Sequence, residues 1–222
     1  HFVFDKTGTL TTGEMHVLEV LPLGTLGREQ SLALAAALEQ ASEHPIGKAL
    51  RVAMAGRDMP AVEGLANEPG CGMKAQYGGR QVRVGRPDYV LKLHGRPLPD
   101  SAQLLLDGGD TVVALGDDTG WIALFRIGDE PRPEAAAMVA ALHAAGSHVA
   151  LLSGDAAAAA RRVAQALGID EVHADASPQA KHAYVRHLQA GGAVVAMVGD
   201  GVNDAPVLAQ AQVSVAMGGG AQ

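Results

Sequence analysis

The sequence has few aromatic residues, a single cysteine and no long apolar run. Each scarcity closes off a class of protein. One cysteine, Cys71, cannot build an internal disulfide framework, and such usage suits a reducing cytosol. The nine histidines are scattered, without the paired Cys/His spacing of a zinc site. No stretch of about 18 apolar residues is present to form a membrane-spanning helix. The formal charge is −7 and no dense basic run exists, which argues against nucleic-acid binding, since phosphates require neutralising cations. Aromatics make up only 3% of a chain that is 48% apolar, so the core must be built from Ala, Val and Leu. The 28 glycines predict many tight turns. The chain opens without Met, on the strand-like run His1-Phe2-Val3-Phe4, and reads as a fragment of a longer protein.

Three apolar runs read as buried parallel strands: Phe2–Phe4, Val149–Leu152 and Ala193–Val198. Each leads into a polar motif, respectively Asp5-Lys6-Thr7-Gly8, Ser153-Gly154-Asp155 and Gly199-Asp200-Gly201. Open α/β sheets bind ligands beyond the carboxyl ends of their strands, so these three endings should converge. Helices are expected between them. One runs from Pro133 to Ala145 and stops at Gly146; another runs from Ala156 to Leu167, with Asp155 as N-cap and Gly168 as terminator. Ser177-Pro178 opens a third, ending near Gly191-Gly192. Strand–helix alternation of this kind predicts an α/β fold with a doubly wound parallel sheet.

The middle of the chain has a different texture. Two helical stretches, Glu29–Ala41 and Ile46–Ala55, precede hairpin-like strands. Met73–Tyr77 and Gln81–Val84 flank the turn Gly78-Gly79; Thr111–Gly116 and Trp121–Ile127 flank a second turn. The pattern is an α+β insertion of about 100 residues within the parallel-sheet domain. The expected division is residues 1–20 with 126–222, and 21–125 as the insertion.

Asp5-Lys6-Thr7-Gly8-Thr9-Leu10-Thr11 carries the strongest chemistry. A carboxylate at the end of a buried strand can attack phosphorus and become an aspartyl phosphate. The transferring group needs its charge neutralised. Lys181 can supply a cation, and Ser153 and Thr7 can supply hydroxyls, with backbone N–H groups near Gly154. Asp200 can hold Mg²⁺, with Asn203 and Asp204 orienting its surroundings.

These motifs resemble those of the P-type ATPases, on the haloacid-dehalogenase-like fold. Residues 5–11 match the family's phosphorylation motif, and Gly199-Asp200-Gly201-Val202-Asn203-Asp204-Ala205-Pro206 matches its hinge motif. Ser153-Gly154-Asp155 stands where most members have Thr-Gly-Asp, and Asp129 with Arg132-Pro133 resembles the segment where the chain re-enters the phosphorylation domain. The resemblance implies Asp5 as phosphorylated nucleophile. It implies Lys181, Thr7, Ser153, Gly154 and Asp155 around it, and Mg²⁺ at Asp5, Thr7 and Asp200. Hydrolytic relatives carry a second Asp where this chain has Thr7, which cannot act as a base at neutral pH. The phosphoenzyme should therefore persist. Thr12-Gly13-Glu14 imitates the family's actuator motif but follows the phosphorylation loop directly, so the actuator domain is expected elsewhere in the full protein.

Ser42-Glu43-His44-Pro45 resembles a motif of the heavy-metal-transporting branch, in which the histidine meets adenine. Taken alone, His44 reads as a residue at a helix start. Glu39 matches the branch's adenine-contacting glutamate, Gly70-Cys71-Gly72 its Gly-x-Gly, and Gly85 the first residue of a Gly-Asn pair in which Arg86 replaces Asn. ATP is thus expected on Glu39, His44, Gly70, Gly72 and Gly85. The implied protein lies at the cytoplasmic face of a membrane, with actuator and transmembrane domains and a transported heavy-metal ion, copper first by family habit. No nucleic-acid partner is expected. Two other readings stay open at this stage. One is a free-standing phosphatase with the insertion as a cap; the other is a non-catalytic interaction module.

Overall fold

The computed structural model describes residues 1–106, 108–201 and 204–217. The chain divides into two compact units, His1–Glu14 with Asp129–Gln222, and Met15–Gly128. The divisions fall at 14/15 and 128/129, against the expected 20/21 and 125/126.

In chain order, β1 (Phe2–Asp5) leads through a tight turn at Lys6–Leu10 into β2 (Thr11–Pro22). The helices α1 (Arg28–Leu38) and α2 (Pro45–Ala53) follow. Next come β3 (Glu63–Glu68), β4 (Gly72–Tyr77) and β5 (Arg80–Gly85). The helices α3 (Pro87–His94) and α4 (Asp100–Leu106) precede β6 (Thr111–Asp117) and β7 (Gly120–Pro131). The remainder alternates: α5 (Ala135–Ala144), β8 (Val149–Leu152), α6 (Ala157–Leu167), β9 (Glu171–His173), α7 (Pro178–Ala190), β10 (Ala196–Gly199), α8 (Ala205–Gln210) and β11 (Val213–Ala216).

The first unit is built on a parallel sheet of order β11-β10-β1-β8-β9. Successive side chains of a strand point to opposite faces, and here both faces are covered. Phe4, Leu151 and Val198 pack with Val139 of α5 and Ala160 and Val163 of α6. Val3, Leu152 and Met197 pack with Val185 of α7 and Val207 and Leu208 of α8. This is the doubly wound arrangement expected from the alternation, and its central strand β1 ends at Asp5.

Helix ends follow the local chemistry with two corrections. Ser177 caps α7 by accepting the Ala180 N–H at 3.2 Å, and Gly168 ends α6 in the left-handed conformation. Asp155 does not cap α6; the N-cap is Ala156, which makes no side-chain bond, because Asp155 is engaged elsewhere. The third apolar run becomes a strand only from Ala196.

The second unit is a six-stranded sheet of order β2-β7-β6-β5-β4-β3, antiparallel from β7 to β3. Leu34, Leu38 and Leu50 of α1 and α2 pack with Val84, Leu115 and Phe125 of the sheet. Helices α3 and α4 join a smaller cluster with Val90, Ala102, Trp121 and Leu124. Gly72 and Gly85 face each other across the β4–β5 ladder. A Cβ on Gly72 would strike the Val84 carbonyl, one on Gly85 the Cys71 carbonyl, and their φ values are +150° and +148°. Only glycine fits that approach. Among the described residues, no helix is long and apolar enough to cross a membrane.

Candidate functional site

Two places in the molecule concentrate functional chemistry, one in each unit. In the first, Asp5 sits where β1 gives way to the tight turn, and the Lys181 ammonium binds its Oδ1. The same ammonium reaches Asp204 Oδ1 at 2.9 Å. All three groups are buried, at 6%, 8% and 2% exposure respectively. One cation therefore serves two carboxylates in a medium that penalises charge. Burial pushes the Asp5 carboxyl up to about 6, against the pull of Lys181, and the Asp204 charge adds to the rise. Burial would lower the Lys181 pKa, but its bonds to Asp5 and Asp204 outweigh that and raise it. Asp204 Oδ2 is buried and has no hydrogen-bond partner among the described residues.

Around this centre, Ser153 at the end of β8 donates to Asp155 Oδ2 at 2.9 Å, while the Asp155 N–H returns to Ser153 Oγ at 3.1 Å. Lys6 pairs with Asp155 at 2.9 Å. Burial alone would raise the Asp155 pKa, but Lys6, Ser153 and Lys181 hold it below the usual range. Asp200 faces the turn: a Cβ on Gly8 would lie 3.8 Å from Asp200 Oδ2. Thr7 is exposed at the turn. Gly154 lies between Ser153 and Asp155, where an added Cβ would make only an ordinary contact, 3.7 Å from the Ala176 carbonyl. The geometry thus brings Asp5, Lys181 and Asp204 together, and Ser153, Asp155 and Lys6 into a second pair of contacts. Asn203 lies outside the described residues.

The turn carrying Asp5 is held from far along the chain. The Asp129 carboxylate binds the Thr11 hydroxyl, the Thr12 hydroxyl at 3.2 Å and the Gly13 N–H at 2.9 Å. Arg132 donates to the carbonyls of Thr9 at 3.0 Å and Gly8 at 3.1 Å, and its own N–H to Leu10 at 2.9 Å. These bonds fix the backbone of the turn that follows Asp5. A hard divalent ion fits this setting. Mg²⁺ uses one or two carboxylates with waters and phosphate oxygens, and Asp5 and Asp200 offer that number.

In the second unit a cavity of about 960 Å³ opens, of the size that small ligands occupy. Its wall includes Glu39, His44, Gly70, Gly72 and Gly85, all five residues expected from the sequence, together with Arg86. His44 is the N-cap of α2, its Nδ1 accepting the Ile46 N–H at 3.2 Å. That bond fixes the ring and leaves Nε2 as the nitrogen available to a ligand. His44 thus stands at a helix start and on the cavity wall at once. Glu39 is 5% exposed, and burial raises its pKa against the pull of Ser42, His44 and Arg51.

The glycines also have a duty within the fold. Gly72 and Gly85 are required by the contact between their own two strands, as their mutual clash distances dictate, while Gly70 supplies the φ of +74° of a turn. The sequence also gave no sign of Arg51, whose guanidinium donates to the carbonyls of Glu39 at 2.5 Å and Ser42 at 2.7 Å. Arg51 thereby ties together the loop that bears the cavity's polar residues. Gly47 has a similar duty, since a Cβ there would come 2.7 Å from Glu39 Oε2. Lys6 also escaped notice as the partner of Asp155, because that pairing links two motifs about 150 residues apart and no local pattern encodes it.

Comparison with known proteins places the chain among relatives of one kind. The model of the haloacid dehalogenase-like hydrolases matches residues 1–212. A copper-transporting P-type ATPase of Rhizobium leguminosarum bv. viciae is 39% identical over 223 residues, covering 99% of this chain and 26% of that protein. The chain thus spans about a quarter of that relative's length. A zinc-transporting PIB-type ATPase, solved in its E2.Pi state, superposes with a TM-score of 0.85 at 34% identity, over 99% of this chain and 36% of its own. The catalytic domain of the CPx-ATPase CopB-B, from a study of its changes on nucleotide binding, has a TM-score of 0.64 at 30% identity, over 100% of this chain and 79% of its own.

Proposed function

The chain belongs to the haloacid dehalogenase-like hydrolases and, within them, to the catalytic part of the metal-transporting P-type ATPases, and from that footing we propose that it phosphorylates itself on Asp5 from ATP. In this reading ATP enters the cavity of the second unit, with Glu39 and His44 on the adenine and the backbone at Gly70, Gly72 and Gly85 beside it. An Asp5 carboxylate oxygen then forms a bond to the γ-phosphorus as the bond to the β-phosphate bridging oxygen breaks, and ADP leaves. Lys181 neutralises the charge that develops on the transferring group. Ser153 and the Gly154 backbone offer donors to its oxygens, and Asp155 holds Lys6 and Ser153 in place. Mg²⁺ would be held by Asp5, Asp200 and the backbone at Thr7, with Asn203 and Asp204 in support, and would supply further charge neutralisation.

The observation that carries this reading is the buried Asp5–Lys181–Asp204 cluster at the end of the central strand. A merely structural ion pair does not need a second carboxylate competing for the same ammonium. Thr7 supports a lasting phosphoenzyme, because a threonine cannot activate water as a carboxylate does.

The whole pump is a further step in the same proposal. It would sit at a membrane with this part on the cytoplasmic face, joined to actuator and transmembrane domains that complete hydrolysis and transport. Its cargo would be a heavy-metal ion. Copper is favoured by the name of the Rhizobium relative, while the zinc-transporting neighbour marks how little of the ion choice resides in this part.

Labelling with γ-³²P ATP and Mg²⁺, followed by acid quenching, tests the central claim. The chain should retain acid-stable label, and Asp5→Asn should retain none while binding ATP with unchanged affinity. Equal labelling of both would remove Asp5 as the acceptor. Rapid phosphate release from small phosphomonoesters, with no lasting label, would instead favour a capped phosphatase.

A further inference from the structure

The cavity of the second unit is mostly apolar and acidic, with one exception. Among the described residues that line it, the carboxylates are Glu39, Glu43 and Glu68, and Arg86 is the only lysine or arginine. A nucleotide triphosphate brings several negative charges into such a space. The neutral wall and the three carboxylates can accept the base and sugar, but they cannot attract the phosphates.

Resting on the nucleotide reading above, we propose that Arg86 is the residue that meets the phosphate chain, and that it makes the cavity select nucleotides by their number of phosphates. Three observations support this. Arg86 follows Gly85 on the cavity wall, at the start of α3, with an exposed side chain that makes no cap hydrogen bond. Its guanidinium is held at 2.9 Å by Asp88, likewise exposed, so the pair is a solvated one that an incoming phosphate can displace. A guanidinium also presents paired donors that match phosphate oxygens. In the resting protein Asp88 stands in for the anion, and its own pKa is lowered first by the Arg86 hydrogen bond.

This arrangement gives effects of opposite sign at two neighbouring residues. Removing Arg86 should weaken nucleotides that carry a β-phosphate. Removing Asp88 should strengthen them, because Arg86 no longer has to be released. A structural role for the pair would make both substitutions harmful.

The test is an NMR titration of the 222-residue chain with ATP, ADP and adenosine, a method that resolves even millimolar affinities. For Arg86→Gln the expected result is a loss of about tenfold for ATP and ADP with adenosine unchanged, a size in keeping with one charge-assisted hydrogen bond. Arg86→Lys should recover part of the loss, and Asp88→Asn should tighten ATP about twofold to threefold, the worth of an exposed ion pair. Unchanged ATP binding by Arg86→Gln, or an equal loss for adenosine, overturns the assignment of Arg86 while leaving the cavity a nucleotide site. If the wild-type chain binds none of the three, the nucleotide reading itself falls and Arg86 with it.

Discussion

The two units solve opposite problems. The parallel-sheet unit buries its charges: Asp5, Lys181 and Asp204 are each under a tenth exposed and locked in mutual contact. The antiparallel unit leaves its key groups at the wall of an open cavity, where the exposed side chains of Arg86 and His44 each make one hydrogen bond that a ligand need not break or can replace. A group that forms a covalent bond gains from a preorganised, poorly solvated setting, where fixed charges act strongly. A group that binds and releases gains from solvent access, which keeps the exchange of partners cheap. One chain thus carries a tense, charged centre and a relaxed, spacious one.

The largest expected effect would break the charged centre. Lys181→Ala leaves Asp5 and Asp204 buried side by side without a cation. Phosphoenzyme should vanish, and unfolding free energy at pH 7.5 should fall by about 3 kcal/mol, the scale of an orphaned buried charge. Denaturant titration should show a smaller loss at pH 5, where Asp5 takes up a proton. ATP binding to the other unit should survive.

Gly72→Ala reverses the experiment. The added Cβ strikes the Val84 carbonyl on the partner strand, and the φ of +150° strains any other residue. A cost of about 3 kcal/mol is expected from clash and strain together. Nucleotide binding should collapse, whereas Asp5 should still accept phosphate from a small donor such as acetyl phosphate. Loss of both activities together would show that the two units do not keep separate accounts of stability.

Asp5 has its pKa raised to about 6 in the fold, above the usual carboxylate value near 4. The folded state therefore holds this proton more tightly than the unfolded one. Its stabilising contribution is full below about pH 4 and is lost as pH rises through about 6. Asp5→Asn lacks that loss, so in the absence of metal it should gain on wild type between those limits, by up to about 3 kcal/mol, and then level off. Equal pH dependence of the two proteins in thermal or denaturant melts would refute the raised value.

The smallest effect belongs to the relaxed site. His44→Gln removes the ring that caps α2 and should cost about 1 kcal/mol or less in stability. ATP affinity should fall about tenfold, read by calorimetry. A larger change in stability than in affinity would make His44 a helix cap first and a ligand second.

Part of the charged centre was legible in the sequence: Asp5 lies where an apolar run gives way to a glycine-containing turn, as Ser153 and Asp200 beside it do, while Lys181 lies within α7. Phe2-Val3-Phe4 before Asp5 and Val149–Leu152 before Ser153 are continuous apolar strands, buried except for the half-buried Phe2, and continuous apolarity is a strong local signal. The edge strands β9 and β11 escaped notice. They span only 3 and 4 residues, and β11 is exposed throughout, so no period stands out. Helix α3 was missed although Pro87 at its first turn and Gly95 at its end are ordinary boundary signs. What sequence reasoning could not supply was action at a distance. Asp129 and Arg132 hold a turn more than 100 positions earlier, and Arg51 holds the carbonyls of a loop it follows. Nor does the sequence reveal that Gly72 and Gly85 each make room for the other's strand.

The position of β1 has a consequence for how the chain comes off the ribosome. Its neighbours in the sheet are β8 and β10, which begin at Val149 and Ala196, so β1 is made well before either of its partners. The intervening unit, Met15–Gly128, is one uninterrupted stretch that contains all its own strand partners from β3 to β7. Domains emerging in order tend to fold as they emerge, and pairing across long separations comes late. This intervening unit therefore completes its cavity before the parallel sheet can close. Asp5, made before that unit, meets Lys181 and Asp204 only after the unit has emerged.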